Sequence, residues 1–184
     1  MSEVVRLTLV SHGMTEAMAA GRFPADEPLD ALGGRQVAEL AATRTGVDAG
    51  MLCCAPELRA GQTAQALGGP ATTEPALADL DCGRWRGKSL QDVDPAALAI
   101  WLTDPTAAPH GGESIAALCD RVRNWLDGVA ARGGRHTVVT HPAVIRAAIL
   151  TALSAAPTSF WRIDIAPASC TTMHFRGAWT LRLP

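Results

Sequence analysis

Three times along this chain an apolar, β-branched run stops abruptly at polar residues and gives way to helical periodicity. "VVRLTLV" ends at Ser11-His12-Gly13, "GMLCCA" at Pro56-Glu57-Leu58-Arg59, and "RHTVVT" at His141-Pro142. Short runs that are apolar on both faces are the pattern of strands buried inside a parallel sheet, not of half-solvated hairpins. Parallel strands need long crossovers, and helical segments lie between these three. The alternation predicts a layered α/β fold over a helical bundle or a β-sandwich. It also predicts where ligands bind, because in open α/β sheets the crevice lies outside the carboxyl ends of the strands. His12, Arg59 and His141 are delivered to that edge.

The remaining segments fit between these strands. "GRFPADEPLDALG" carries two prolines and reads as an exposed loop leading into a helix from about Gly34 to Thr45, with Val37, Leu40 and Ala41 at helical spacing. "PELRAGQTAQALG" reads as a helix closed by Gly68 and Gly69, residues 71 to 88 as irregular, and "SLQDVDPAALAIWL" as helical again. The longest helix is expected from Glu113 to Arg132, where Ile115, Leu118, Val122, Trp125, Leu126 and Val129 form one core-facing stripe. "PAVIRAAILTAL" follows the third strand as a helix with Pro142 in its first turn. The carboxyl end reads as two or three strands with a hairpin at Arg176-Gly177-Ala178, and its exposed edge leaves a homodimer open.

Composition excludes several classes. With 184 residues, 48% hydrophobic and 18% charged, residues 1–184 are expected to form a single domain around one core. A formal charge of -2 gives no bulk attraction for nucleic acid or an anionic membrane, so any anion site is local. No basic leader runs into a long apolar stretch, and the cytoplasm is the expected compartment. Five cysteines without paired C-x-x-C motifs predict buried thiols, with Cys53 and Cys54 sent to opposite faces of a strand. A Rossmann nucleotide site is set aside because no glycine fingerprint follows the first strand.

In family order, six motifs resemble the histidine phosphatase superfamily, which includes the phosphoglycerate mutases and their phosphatase relatives. Leu9-Val10-Ser11-His12-Gly13-Met14-Thr15 is similar to its Leu-x-Arg-His-Gly-x-Thr, and Glu27-Pro28-Leu29 with Gln36 to its Asp-x-Pro-Leu loop and helix. "CCAPELRAGQTAQAL" resembles Ser-Ser-Pro-x-x-Arg-Ala-x-Gln-Thr-Ala, "LADLDCGRWRG" resembles Leu-x-Glu-x-x-x-Gly-x-Trp-Glu-Gly, and "HGGES" and "VVTHPAVIRAAI" complete the series. The resemblance runs from residue 5 to about 175. It implies a three-layer α/β/α sandwich with a mostly parallel central sheet, and a cofactor-free, metal-independent phosphatase acting on a small phosphorylated substrate. His12 is then the nucleophile, Arg59 a phosphate-binding guanidinium, His141 the second histidine and Asp79 the proton donor. Ser11, Thr15 and Arg22 are further phosphate-binding candidates, and Glu113 an alternative acid or a helix-start carboxylate. No long insertion resembling the mutases' lid lies between Leu67 and Glu113, which favours hydrolysis over transfer.

The chemistry agrees with those roles. A neutral imidazole can attack phosphorus and split one hard step into two. A planar guanidinium clamps two equatorial oxygens, a second imidazole can donate to them, and the leaving alkoxide needs a proton. Three positions depart from the family pattern. Ser11 stands where the family carries arginine, which removes a charge; Arg22, Arg84 and Arg86 are candidates to replace it. Arg86 itself stands in place of an acid, and Pro142 in place of a glycine. The expected activity is phosphomonoester hydrolysis through a phosphohistidine, slowed by Ser11. The alternative is a phosphate-ligand binding or regulatory protein on the same fold.

Overall fold

The computed structural model describes residues 4–43 and 51–183. Six strands among them form one sheet: β1 (Val5–Ser11), β2 (Met51–Cys54), β3 (Thr72–Thr73), β4 (Arg135–Thr140), β5 (Cys170–Phe175) and β6 (Trp179–Arg182). Their order is β3-β2-β4-β1-β5-β6. The first four are parallel, while β5 runs antiparallel to β1 and β6 antiparallel to β5, making a mixed but mostly parallel sheet. The two central strands, β4 and β1, are buried along most of their length, as their unbroken apolar runs require.

The helices are α1 (Glu16–Ala19), α2 (Ala31–Thr43), α3 (Leu58–Gly68), α4 (Pro95–Thr103), α5 (Ile115–Arg132) and α6 (Pro142–Ala152). The steps β1 to β2 and β2 to β3 move one way across the sheet, and β3 to β4 moves back. Right-handed crossovers therefore put α2 and α3 on one face and α5 on the other. The packing agrees, with α2 against α3 and α5 against α6. All six residues of the predicted α5 stripe are buried.

Several boundaries differ from expectation, each for a local reason. Helix α2 begins three residues before Gly34, and its expected end at Thr45 lies outside the described residues. Its early start depends on a close crossing: a Cβ on Gly13 would lie 2.6 Å from the Gly33 carbonyl oxygen, and one on Gly33 would strike the Met14 carbonyl. The segment expected to be helical from Ser89 is a 3-10 turn over Leu90–Asp92 followed by α4, because Pro95 belongs in a first turn and Asp94 caps it. Helix α5 starts at Ile115, capped by the Ser114 hydroxyl. The stretch 71–88 contains β3 and two 3-10 turns that carry the chain back under the site.

Candidate active site

The register of the two central strands builds the floor of the site. Ser11 pairs with Thr140 across β1 and β4, so the next residue on each strand, His12 and His141, projects from the same edge. Adjacent strands lie about 4.8 Å apart, and the two imidazole centroids are 5.1 Å apart. The His12 backbone N–H donates to the Thr140 carbonyl at 3.1 Å, locking the two strand ends together. Both rings are buried, at 2% and 0% exposure.

His12 has its tautomer fixed locally. Its Nδ1 lies 2.7 Å from the Gly13 carbonyl oxygen, which can only accept, so the proton sits on Nδ1 and Nε2 carries the lone pair. Burial, then the charge of His141, push its pKa down to about 4, against the opposing hydrogen bond to Gly13. The ring is therefore neutral and nucleophilic at physiological pH. Gly13 is fixed in turn by the α2 crossing and by Gln36, whose side-chain oxygen accepts from the Met14 N–H at 3.0 Å.

Arg59 comes from the third strand end, in the first turn of α3. It is 1% exposed, and all three of its nitrogens are engaged. Nε donates to His12 Nε2 at 3.3 Å, Nη1 to the Ala25 carbonyl at 2.7 Å, and Nη2 to Asp79 Oδ2 at 2.7 Å. Glu27 lies 3.7 Å from Nη1. A buried ion pair of this kind costs about 3–5 kcal/mol to break from one side, so Arg59 and Asp79 hold each other in place. Burial pushes the Asp79 carboxyl up, but His141, Arg59 and His12 outweigh it and hold the group below its usual range. Asp79 is therefore a carboxylate at physiological pH.

Glu57 completes the floor. Its carboxylate accepts from His141 Nε2 at 2.7 Å and from the Asp79 backbone N–H at 3.0 Å. That contact sets the ring so that Nδ1, buried and without a hydrogen-bond partner among the described residues, faces Asp79 Oδ2 at 3.4 Å. Burial raises the Glu57 carboxyl, and the hydrogen bond and charge of His141 more than reverse this, leaving it below the ordinary carboxylate range. A carboxylate fixing the far nitrogen of a working imidazole is a recurring orienting device.

His12, Arg59 and Asp79 open into a cleft of about 180 Å³ and form its floor. Met18, Phe23, Trp101 and Trp161 form an apolar wall, and Arg146 stands at its side. Phe23, Trp85 and Trp101 pack ring to ring at 5.1–5.7 Å, and Trp161 joins Trp101 at 4.5 Å. Cys82 also borders the cleft, but burial, with Asp79 and Asp81 adding to it, pushes its thiol up to about 12, so it does not compete as a nucleophile.

The structure thus brings His12, Arg59, Asp79 and His141 together, and it places the other predicted residues differently. Ser11 is fully buried behind His12 and does not line the cleft; its hydroxyl is 3.5 Å from the His12 carbonyl. A side chain that short cannot reach past its neighbour as a guanidinium would. Thr15 is also buried and caps α1, its oxygen accepting from Met18 N–H at 3.3 Å and its hydroxyl donating to Glu27 at 3.3 Å. It serves the site through Glu27. Arg22 reaches the mouth of the cleft but is paired with Glu16 at 3.0 Å. Glu113 accepts from Arg121 at 2.8 and 2.7 Å, and Arg121 also donates to the Ala76 and Ala78 carbonyls. Glu113 therefore braces the turn before Asp79 and does not line the cleft. Arg84 donates to the Pro109 carbonyl, and Arg86 lines a neighbouring depression beside Glu57 and Asp81.

Two site residues escaped the sequence reading: Glu57 and Arg146. Glu57 stands two positions before Arg59 at a strand end, which was a usable signal. Arg146 follows Pro142 by four residues, and that spacing puts both on one face of α6.

Comparison with known proteins gives the family and the fold. A bifunctional protein of Mycobacterium tuberculosis is 31% identical over 194 residues, taking in 97% of this chain but 53% of its own length, so the chain spans about half of that relative. A glucosyl-3-phosphoglycerate phosphatase of Mycolicibacterium vanbaalenii is 33% identical over 178 residues, covering 87% of this chain and 79% of the relative. Among solved structures, a phosphoserine phosphatase variant from Entamoeba histolytica in complex with phosphoserine superposes with a TM-score of 0.87 at 24% identity, over 96% of this chain and 94% of the other. A mycobacterial glucosyl-3-phosphoglycerate phosphatase complexed with VO3 gives 0.82 at 24% identity over 97% of both chains, and these two likenesses establish the fold. Residues 7–183 match the histidine phosphatase superfamily, branch 1, and the chain belongs to that family.

Proposed function

We propose that this protein hydrolyses a small phosphate monoester through a phosphohistidine at His12. The observation that carries the reading is the tautomer of His12: Nδ1 is bound to the Gly13 carbonyl, and the unprotonated Nε2 faces Arg59 on the floor of an open cleft. The ester's phosphoryl oxygens would draw the Arg59 Nε–H from His12 and, with His141 as the imidazolium whose Nε2–H is bound by Glu57, receive a further hydrogen bond from its Nδ1–H. Nε2 then attacks phosphorus, forming the P–N bond as the ester P–O bond breaks. The departing alkoxide takes a proton from Asp79. That carboxyl gains its proton when the bound phosphoryl group takes Arg59 away and sets negative charge beside it, which raises its proton affinity. Water next attacks phosphorus, Asp79 accepts the water's proton, the P–N bond breaks, and inorganic phosphate leaves with His12 restored.

The relatives act, by name, on glucosyl-3-phosphoglycerate and phosphoserine, which supports a small phosphorylated metabolite as the substrate class. With Ser11 out of the cleft, a single guanidinium grips the reacting group. Loss of one preorganised donor typically costs about 10²–10³ in rate, so slow turnover is expected. Among the described residues no helix is long and apolar enough to cross a membrane.

The test is phosphate release from p-nitrophenyl phosphate and a panel of sugar, glycerate and amino-acid phosphates in chelator, with wild type and His12→Ala. Wild-type release, with an acid-labile ³²P label trapped on the protein and both absent in His12→Ala, is the expected result. Equal, residual release by the two proteins would overturn the enzyme reading and leave the phosphate-binding alternative.

A further inference from the structure

Arg146 has the placement of a ligand-binding group that the phosphoryl chemistry does not use. Pro142, Ala143 and Arg146 all line the cleft and lie on one face of α6. At about 1.5 Å per residue, Arg146 stands about 6 Å along the helix from Pro142, away from the floor where His141 ends β4. Its Nε donates to the Ile163 carbonyl at 2.7 Å, and its guanidinium carbon lies 5.6 Å from the Phe160 ring centroid and 5.7 Å from that of Trp161. The guanidinium is therefore within cation–π range of two aromatic rings that stand nearly perpendicular to each other, while neither Nη donates to a protein group among the described residues. A half-buried cation without a contacting carboxylate carries a desolvation cost that a bound anion would remove. Burial lowers its pKa, with Asp164 and Asp79 opposing from a distance.

The other cleft arginines are committed. Arg59 spends its three nitrogens on His12, Ala25 and Asp79, and Arg22 is tied to Glu16. Arg146 makes no hydrogen bond, ion pair or ring contact with His12, Arg59 or His141; its contacts are Phe160, Trp161 and Ile163. It lines the same cleft as Phe23, Trp101 and Trp161.

We propose that Arg146 binds an anionic group on the alcohol portion of the substrate, so that the preferred monoester carries a carboxylate separated from its phosphate by an apolar segment lying against Trp101 and Trp161. This rests on the site binding phosphate monoesters as described above. A charge-assisted, two-pronged bond supplies the selectivity, and the aromatic wall takes the segment between the two anions.

The experiment compares 4-carboxyphenyl phosphate with phenyl phosphate. In wild type the carboxylated ester is expected to have a kcat/KM at least tenfold higher, carried by KM. Arg146→Gln is expected to bring the ratio to about one by raising KM for the carboxylated ester, and Arg146→Lys to keep part of the preference. Affinities of the two esters for His12→Ala, and for His12→Ala with Arg146→Gln, measured by calorimetry, give the same comparison without turnover. An Arg146→Gln ratio equal to that of wild type, in turnover and in binding, overturns the proposal. So does an equal fall in kcat for both esters, which would place Arg146 at the phosphoryl group in place of the absent motif arginine. If wild type turns over neither ester but binds the carboxylated one at least tenfold more tightly through Arg146, the hydrolase reading fails and this one stands.

Discussion

Replacing His12 by Asn should flatten the acid side of the protein's stability profile. The folded ring has a pKa of about 4 against the ordinary value of 6.5, and it is 2% exposed, so solvent screening takes little from the effect. Between those two pH values the unfolded chain binds a proton that the folded one refuses, and stability must rise with pH across the window. Linkage puts the loss from pH 7 to pH 5 at about 2 kcal/mol, approaching about 3 kcal/mol below pH 4, from 1.36 kcal/mol per pKa unit. The depressed carboxyls of Glu57 and Asp79 act lower: their contribution is present above the unfolded carboxylate range near 4 and is lost as pH falls through their folded values. They leave the pH 5–7 interval to histidine. His110 and His174, also lowered, titrate in both proteins and cancel in the difference. Urea unfolding of wild type and His12→Asn at pH 7 and pH 5 reads it directly. With a urea slope of about 2 kcal/mol/M, the wild-type midpoint should drop by about 1 M more than that of the variant. Parallel drops, within about 0.2 M, would show that the ring is not held neutral and would remove the physical basis for His12 as a ready nucleophile.

Three further outcomes follow from the same contacts. Glu57→Gln, nearly isosteric, should lower kcat/KM by about 10–100-fold, the usual cost of losing an orienting partner, and weaken vanadate inhibition in parallel; a change below twofold in both would deny Glu57 its positioning role. Ser11→Arg places a cation beside the carboxylates of Asp79, Glu57 and Glu27 and should raise kcat by about tenfold or more, whereas a fall in kcat in a protein with wild-type circular dichroism and melting would refute that. Glu113→Ala should cost about 2–4 kcal/mol in urea unfolding, because Arg121 is left with an uncompensated charge, while kcat per folded molecule changes little. A collapse of kcat without loss of stability would make Glu113 the acid.

Three parts of the candidate site were legible in the sequence because they follow strand ends, where a buried apolar run stops at polar residues, whereas Asp79, six residues beyond β3, came only from the family resemblance. His12, Arg59 and His141 needed only that pattern and the parallel order of their strands. Helix α5 was legible for a similar reason, its stripe repeating at helical spacing over 18 residues. Contacts without a local signature were hidden. Glu57 and His141 are 84 residues apart, and nothing in "PELR" says that the glutamate turns toward an imidazole on another strand. Strand β3, two residues long, is too short to show a period. Gly33 and Gly34 resemble a turn, yet α2 runs through them because Gly33 must pass close to the His12 loop. The placement of Ser11 was hidden as well: its side chain is buried behind His12 and does not line the cleft.

The 3.3 Å contact between Arg59 Nε and His12 Nε2 has a consequence for the protein at rest. The guanidinium that would grip the substrate also covers the lone pair that would attack it, so the proposed nucleophile is capped by the residue proposed to bind its target. A hydrogen bond from a charged donor contributes about 1.5–3 kcal/mol, a cover that an incoming phosphoryl group can replace with charge-assisted bonds of its own. Neutral electrophiles have nothing with which to draw the arginine away, and each departing phosphate lets the cap fall back. Reactivity is thereby confined to the interval in which an anion occupies the floor, a safety catch made from a residue the chemistry needs in any case.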